Sequence, residues 1–187
     1  FIMTGKGVTI FTDPFSEFDN SLSKPESEKD FSNSNLSRLF TSWGFDMKPG
    51  MVIGDIVNGR KVSLGPSNDQ KIVTYVLWLA IQQNLLSNTD IITSNLDYIF
   101  LKSAGSIENL NTNSSLVIEP LIRTSKESML IERYKMQFRA DPEQLLKDFQ
   151  SQDKSYIIGA RIKGQLDSAF TMEDIKKIEL DTKQHIK

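Results

Sequence analysis

Cysteine is absent from this chain, and histidine occurs once, at His185, two residues from the end. Without thiols the chain can form no disulfide, no thiolate metal site and no cysteine nucleophile. One histidine at the end of the chain argues against a multi-histidine metal site and against a histidine-based catalytic triad inside a compact core. We therefore expect none of these sites, and we name no metal ligand, no cofactor and no catalytic residue.

Charge of a single sign and long apolar runs are also missing. The 187 residues include 22 Lys and Arg and 24 Asp and Glu, interspersed without a basic stripe, so nucleic acid is not an expected partner. No run approaches the ~20 apolar residues of a membrane helix, and no signal peptide is visible. The chain opens on what looks like the end of one element running straight into a strand. We interpret it as an N-terminally truncated fragment of a longer protein.

Residues 95–125 are the stretch around which we expect the rest of the chain to pack. Two apolar runs, at residues 96–101 and 116–125, are separated by a small-residue turn and a polar loop. Both runs are rich in β-branched and aromatic residues, which is typical of strands. The pattern predicts two buried central strands.

Other short runs predict further strands. They lie at residues 8–12, 51–53, 60–64, 128–131, 134–138 and 156–162. Asn58-Gly59 is a turn pair suited to a hairpin between the second and third of these runs. Residues 72–81 have the length of a helix as well as a strand, but their Val, Thr, Tyr and Ile content favours a strand.

A polar segment and a helix precede these strands. Residues 16–35 are rich in Ser, Asn, Asp, Glu and Lys, and this composition predicts a mobile loop because it buries little surface. Apolar residues then recur at helical spacing over residues 36–43. Ser34 or Asn35 is the expected N-cap, and Gly44 is the expected left-handed C-cap.

Two more helices are predicted from their starts. Asp141 is a good N-cap and Pro142 suits the first helical position. Thr171 and Asp174 have the spacing of a reciprocal cap, which opens a C-terminal helical extension over residues 166–187. Strands alternating with helices favour a mixed α/β sheet.

Four positions allow a functional and a structural interpretation. Asp13-Pro14 follows a predicted strand and Asp55 follows another, where α/β proteins place ligands. Asp is also a common turn residue whose carboxylate accepts backbone N–H bonds, and we favour that role for both. Trp78 fits either a half-buried sheet surface, which we favour, or an exposed ring for ligand stacking.

Two other positions are equally open. The small residues at 103–106, which include Ser103 and Gly105, could present backbone N–H groups to an anion. They lack the lysine and repeated glycines of a phosphate loop, so we favour a structural turn. Arg123 ends a strong predicted strand, and we favour an ion pair with an Asp or Glu over binding of an external anion.

A series of motifs runs through most of residues 5–165. It consists of GVTIFTDP at residues 7–14, LFTSWG at 39–44 with VIGD at 52–55, WL at 78–79, NL at 95–96 with SAGSI at 103–107, and PLIRTS at 120–125. In order and spacing this series resembles the extracytoplasmic domain of the GldG-like auxiliary proteins of ABC transporters. The matching positions, expected to be structural or contact residues, are Asp13, Pro14, Trp43, Gly44, Asp55, Trp78, Ser103, Gly105, Pro120, Arg123 and Ser125.

The resemblance implies a layered α/β fold similar to flavodoxin or to amidotransferases, with a mixed sheet and flanking helices in one domain over residues 1–187. Amidotransferases use a cysteine and a histidine, so this copy would be catalytically silent. The resemblance also implies a position outside the cytoplasmic membrane, with transmembrane anchors beyond this sequence.

The function that follows is that of a non-enzymatic accessory domain of an ABC transporter complex. It would contact the permease or ATPase subunits, a second copy of itself, or a polymer or glycan. Two alternatives from other classes stay open. One is a soluble α/β ligand-binding module, and the other is a hydrolase that uses scattered carboxylates.

Overall fold

The structure is a computed structural model, and it describes residues 4–16, 34, 36–48, 50–112, 115–136, 140–174 and 176. Almost all of the loop predicted over residues 16–35 lies outside the described residues. So does most of the helix predicted after residue 171.

Strands dominate the described part of the chain. They are β1 (Phe45–Met47), β2 (Met51–Asp55), β3 (Gly59–Leu64), β4 (Lys71–Gln82), β5 (Tyr98–Lys102), β6 (Ile107–Asn109), β7 (Val117–Arg123), β8 (Ser128–Glu132) and β9 (Ile157–Lys163). The bounded helices are α1 (Ser37–Trp43) and α2 (Pro142–Lys147), with short 3₁₀ helices at Gln83–Leu85 and Arg133–Met136.

The strands form three small sheets. The first has the order β1-β6-β9-β7, the second pairs β2 with β8, and the third has the order β3-β4-β5. Every pairing between these strands is antiparallel. Neighbours such as β3 and β4 are consecutive in sequence, whereas β2 and β8 pair across a long stretch of chain.

This architecture shows that the predicted layered α/β fold, similar to flavodoxin or amidotransferases, is wrong. Parallel strands need crossover connections of a dozen or more residues, and these usually contain a helix. The two bounded helices span seven and six residues. Such short helices cannot provide the crossovers, and the described strands pair antiparallel instead.

Two strands, β4 and β2, supply the centre of the core. From β4, Leu77 belongs to one buried cluster, and Leu79 and Ile81 belong to a second. From β2, Val52 packs in the first cluster and Ile53 in the second, because successive side chains of a strand point to opposite faces. The two-stranded sheet is therefore buried on both faces, and β4 joins both clusters along its length.

The predicted central pair consists of real strands, but neither is central. The run at residues 96–101 corresponds to β5, which ends its sheet and alternates between exposed and half-buried residues. The run at residues 116–125 corresponds to β7, which also ends its sheet. Apolar content located these strands correctly but did not indicate which strand would be buried on both faces.

The other strand predictions are confirmed in part. Strands are confirmed near residues 51–53, 60–64, 128–131 and 156–162, and the ambiguous run at 72–81 is a strand. Residues 8–12 are described as irregular, and the start of the run at 134–138 is a 3₁₀ helix whose continuation is not among the described residues. Both of these predictions are wrong over the residues described.

Asn58-Gly59 does not join β2 and β3 as a hairpin, because β3 pairs with β4 instead. The need for glycine at this position comes from close packing. A Cβ on Gly59 would lie 2.9 Å from the carbonyl oxygen of Asp55 and 3.2 Å from the Cα of Val76. Backbone atoms cannot move aside as a flexible side chain can, so a larger residue does not fit without a shift.

Local capping rules succeeded at the helices. Gly44 ends α1 with φ 96°, in the left-handed region. Asp141 caps α2, and its carboxylate accepts the N–H of Glu143. The N-cap of α1 is Leu36, so the predicted Ser34 cap is wrong, and Asn35 lies outside the described residues.

Candidate functional site

The side chain of Asp55 lies at the C-terminal end of β2 and is completely buried. Its Oδ1 accepts the N–H groups of Val57 and Asn58, at 2.9 and 3.0 Å, and the hydroxyl of Ser125 at 2.8 Å. Its Oδ2 accepts the side-chain amide of Asn58 and the N–H of Ser125. Two predicted positions 70 residues apart, Asp55 and Ser125, are thus in direct contact.

A group of small polar residues extends this network. The Thr124 hydroxyl lies 2.9 Å from that of Ser128, and it accepts the N–H of Tyr156 at 2.8 Å. The Ser128 hydroxyl also donates to the carbonyl of Lys154. Thr124, Ser128 and Asn58 were not named as site residues from the sequence, although Asn58 belongs to the predicted turn pair and Thr124 to the PLIRTS motif. The signal that could have found Asn58 is its place three residues after an Asp, the spacing of a side-chain capped turn.

The loop at residues 103–106 joins neighbouring strands through its backbone. The N–H of Ser103 donates to the carbonyl of Leu77 in β4, and the N–H of Ile53 in β2 donates to the carbonyl of Ala104. Ser103 is buried with φ 48°, a conformation that non-glycine residues rarely adopt. This loop connects the β3-β4-β5 sheet to the β2-β8 sheet.

Gly105 brings together a second pair of predicted positions. A Cβ on Gly105 would lie 2.5 Å from the Sδ of Met47 and 3.1 Å from the Cγ of Pro14. Pro14 is buried there, and Asp13 accepts the N–H of Phe15 with its Oδ1 at 3.0 Å. Absence of a side chain at residue 105 therefore lets the Asp13-Pro14 turn pack against the loop.

Trp43 and Gly44 form a third group at the end of α1. The Trp43 ring is buried, and its Nε1 donates to the carbonyl of Asp167 at 3.0 Å. Its neighbours in the same apolar cluster include Phe40 and Phe45, whose rings stack with centroids 4.8 Å apart. This group attaches the segment after β9 to α1.

Three predicted positions stand apart from these groups. Pro120 lies in β7 beside an irregularity of its pairing with β9, a position where a strand tolerates proline. Arg123 is exposed at the end of β7, and no described carboxylate forms an ion pair with it. Trp78 is half-buried in β4, and the Nζ of Lys102 lies 4.2 Å from its ring centroid.

An open groove runs beside the Asp55 network, and we call it the Arg60 groove. Its volume is about 560 Å³, and its lining includes Arg60, Lys61, Gln82, Asn84, Phe100 and Ser125. Val57 and Asn58 also line it, so all three hydrogen-bonding partners of Asp55 form part of the wall. The buried carboxylate itself is closed off from the groove by these partners.

Cations and aromatic rings share this side of the β3-β4-β5 sheet. The guanidinium carbon of Arg60 lies 4.6 Å from the centroid of the Phe100 ring. Lys102 lies two residues after Phe100 and hence on the same face of β5. Phe100 is 50% exposed and Tyr98 is 54% exposed, and their rings meet edge to face at 5.1 Å. Such a surface can hold anionic or planar groups.

Two ion pairs elsewhere lower the pKa of a carboxyl. Arg161 binds Asp90 through two nitrogens, at 2.5 and 2.8 Å, and this pairing is the main cause that lowers the pKa of Asp90 to about 2. The pKa of Asp174 is also lowered to about 2, first by hydrogen bonds from Thr171 and then by Arg38. Thr171 and Asp174 make the predicted reciprocal cap.

The described residues contain no group of three or more His, Asp or Glu side chains that could hold a metal ion. A search for membrane-spanning helices, made over the same residues, found none of sufficient length and hydropathy. Asp55 has all its described contacts with N–H and O–H donors of the protein and no contact with solvent. In this arrangement its carboxylate joins the end of β2 to the segments that precede β3 and follow β7.

The described residues form a strand-rich domain with a buried polar network around Asp55 and the open Arg60 groove beside it. The chain belongs to the family described as ABC-type uncharacterized transport system, whose model matches residues 1–186. It is thus an auxiliary component of an ABC transport system, and such a component associates with other transporter subunits. No curated protein and no solved structure matches the chain.

Proposed function

We propose that this domain is a non-enzymatic accessory module that works outside the cytoplasmic membrane through contact with the permease subunit of its transporter. The observation that carries this proposal is the burial and hydrogen bonding of the Asp55 carboxylate. This carboxylate of the VIGD motif is 0% exposed and accepts five hydrogen bonds from three residues. A group so enclosed stabilises the fold and is not placed to act as a base or a ligand.

The remaining family positions support the same interpretation. Pro14 packs at Gly105, and Trp43 binds the backbone of Asp167. These contacts are inside the protein, and they fix loops that shape its surface. The Arg60 groove then supplies an exposed region that contains an arginine and an aromatic ring, residue types that are enriched at protein interfaces.

The test is chemical cross-linking in the host membrane, followed by affinity purification of the tagged full-length gene product. We expect the permease and ATPase subunits of one ABC transporter to be recovered together with it. The control is a tagged, unrelated membrane-associated protein expressed at the same level. Recovery of the tagged product without either subunit, under conditions in which those subunits cross-link to each other, would refute the proposal.

A further inference from the structure

The Arg60 groove is positively charged, whereas the chain as a whole has a small negative net charge. Arg60 and Lys61 both line it, and no described residue of its lining is acidic. No ion pair joins either cation to a carboxylate of the described residues. The whole chain carries a formal charge of −2, so this local excess of positive charge is a specific feature of the groove.

Stacking prepares Arg60 to bind a carboxylate. Its guanidinium lies over the Phe100 ring at 4.6 Å, an arrangement that holds the planar group by a cation–π contact. The N–H donors lie in the plane of the guanidinium and stay available at its edge. A fork of this kind matches the two oxygens of a carboxylate, and little side-chain entropy remains to be lost on binding.

The rest of the lining suits a peptide chain. Gln82 and Asn84 carry carboxamides, which can donate to and accept from the peptide groups of an extended segment. Val57 is 65% exposed at the groove and offers apolar area for a side chain. The groove is open to solvent, as a bound chain segment requires, and is not an enclosed cavity.

From this charge complementarity we infer that the Arg60 groove binds an extended acidic segment of a partner protein. A carboxylate of the segment lies on the Arg60 guanidinium with the Lys61 charge nearby, and an apolar side chain of the segment packs on Phe100. The inference rests on the proposed function, since it names the kind of surface that a transporter subunit presents to this domain. It requires no chemistry and no change of the fold.

The probe is a short fluorescein-labelled peptide in which glutamate alternates with leucine, and its neutral twin has glutamine in place of every glutamate. Fluorescence anisotropy measures the affinity of each for the 187-residue chain. We expect the acidic peptide to bind at least about tenfold more tightly than the neutral twin, and more weakly as salt increases. Equal affinities for the two peptides would overturn the inference.

Paired substitutions locate the binding. Arg60→Gln with Lys61→Gln should abolish the preference for the acidic peptide, and Phe100→Leu should weaken its binding about threefold or more. The matched control is Lys135→Gln with Lys147→Gln, which removes the same charge from exposed positions away from the groove and should change affinity less than about twofold. An equal loss in both double variants would refute binding in the groove.

Two further outcomes are decisive. Binding of an oligogalacturonate in place of the acidic peptide, with the same dependence on Arg60 and Lys61, would overturn the peptide assignment in favour of an acidic glycan. The cross-linking experiment on full-length protein separates this inference from the proposed function. Recovery of transporter subunits by both wild type and the Arg60→Gln, Lys61→Gln variant would sustain the function and refute the groove as the contact.

Discussion

A single buried carboxylate joins three parts of the chain. Asp55 ends β2, Asn58 precedes β3, and Ser125 follows β7, and the carboxylate accepts hydrogen bonds from both of the other two residues. A buried carboxylate is costly to desolvate unless donors replace the water that it loses. Five donors do so here. Replacing the carboxylate should therefore destabilise the fold.

Asp55→Asn is the sharpest test of this network. The substitution preserves shape, but it places an amide NH₂ where two or more N–H groups already point. At either oxygen position, donors then face donors without an acceptor. Leaving buried donors unsatisfied costs about 1–3 kcal/mol each, so we expect the free energy of unfolding to fall by about 2–4 kcal/mol. Urea denaturation followed by circular dichroism measures it.

The matched control removes the same charge from an exposed position. Asp69→Asn lies in the loop between β3 and β4, and it should change stability by less than about 0.5 kcal/mol. If Asp55→Asn were no more harmful than Asp69→Asn, the buried network would not stabilise the fold as the geometry requires.

Residue-level predictions from the sequence succeeded where the physics is local. Gly44 and Asp141 were assigned correctly because a left-handed cap and an N-cap depend on a few neighbouring residues. Asp55 and Ser125 were both singled out, but their contact was not predicted because it joins residues 70 apart. Thr124 and Ser128 were missed because small hydroxyl residues at a strand end are equally common in exposed turns.

At the scale of elements, the loop at residues 103–106 decides how two strands and a turn meet. Gly105→Ala adds one methyl group against Met47, with Pro14 close behind it. Overpacking in a filled region costs about 1–3 kcal/mol, and we expect a loss of stability in that range. Thermal and urea unfolding of the variant measure the loss.

A double-mutant cycle and a second glycine test the cause. Combining Gly105→Ala with Met47→Ala removes the atoms that the new methyl group meets, so the alanine at residue 105 should cost less than half as much in that background. Gly7→Ala is the control, because a Cβ on Gly7 has no described atom within 4 Å. Equal losses at residues 7 and 105 would show that the contact with Met47 and Pro14 does not set the cost.

The sheets show why elements are easier to predict than their arrangement. Most strands were located because apolar and β-branched runs report local conformation. Pairing depends on contacts far apart in sequence, such as Val52 with Ile131 across β2 and β8. The sequence run of β4 also fitted a helix, and nothing in its pattern indicated that it would serve two apolar clusters. The predicted mixed α/β sheet, which would contain parallel strands, is wrong for the same reason.

At the scale of the whole molecule, two ion pairs join distant segments. Arg161 in β9 binds Asp90, 71 residues away, and so anchors the turn that follows the 3₁₀ helix at Gln83–Leu85. Arg38 in α1 binds Asp174, 136 residues away, at 2.6 Å. The Arg38 guanidinium also lies 4.8 Å from the ring centroid of Phe170. Both ion pairs depend on carboxylates that are ionised at neutral pH.

Acid should weaken both ion pairs over a defined range of pH. The pKa of each carboxyl is lowered from 3.8 to about 2 in the folded protein. A carboxyl whose pKa is lowered by folding stabilises the fold fully above its unfolded pKa, near 3.8. That contribution decreases below pH 3.8 and is lost once the pH falls through about 2. Carbon-detected NMR titration of the Asp90 and Asp174 carboxyls measures both values.

The Arg161→Gln substitution removes one of the two ion pairs and leaves the other in place in the same molecule. The Arg161 hydrogen bond is the first cause of the low pKa of Asp90, so its removal should raise that pKa from about 2 toward 3.8. Asp174 should keep a pKa of about 2 in the same sample, because Thr171 and Arg38 set it. Opposite behaviour, with Asp174 shifted and Asp90 unchanged, would show that the pairing of Asp90 with Arg161 does not hold the turn to β9 in solution.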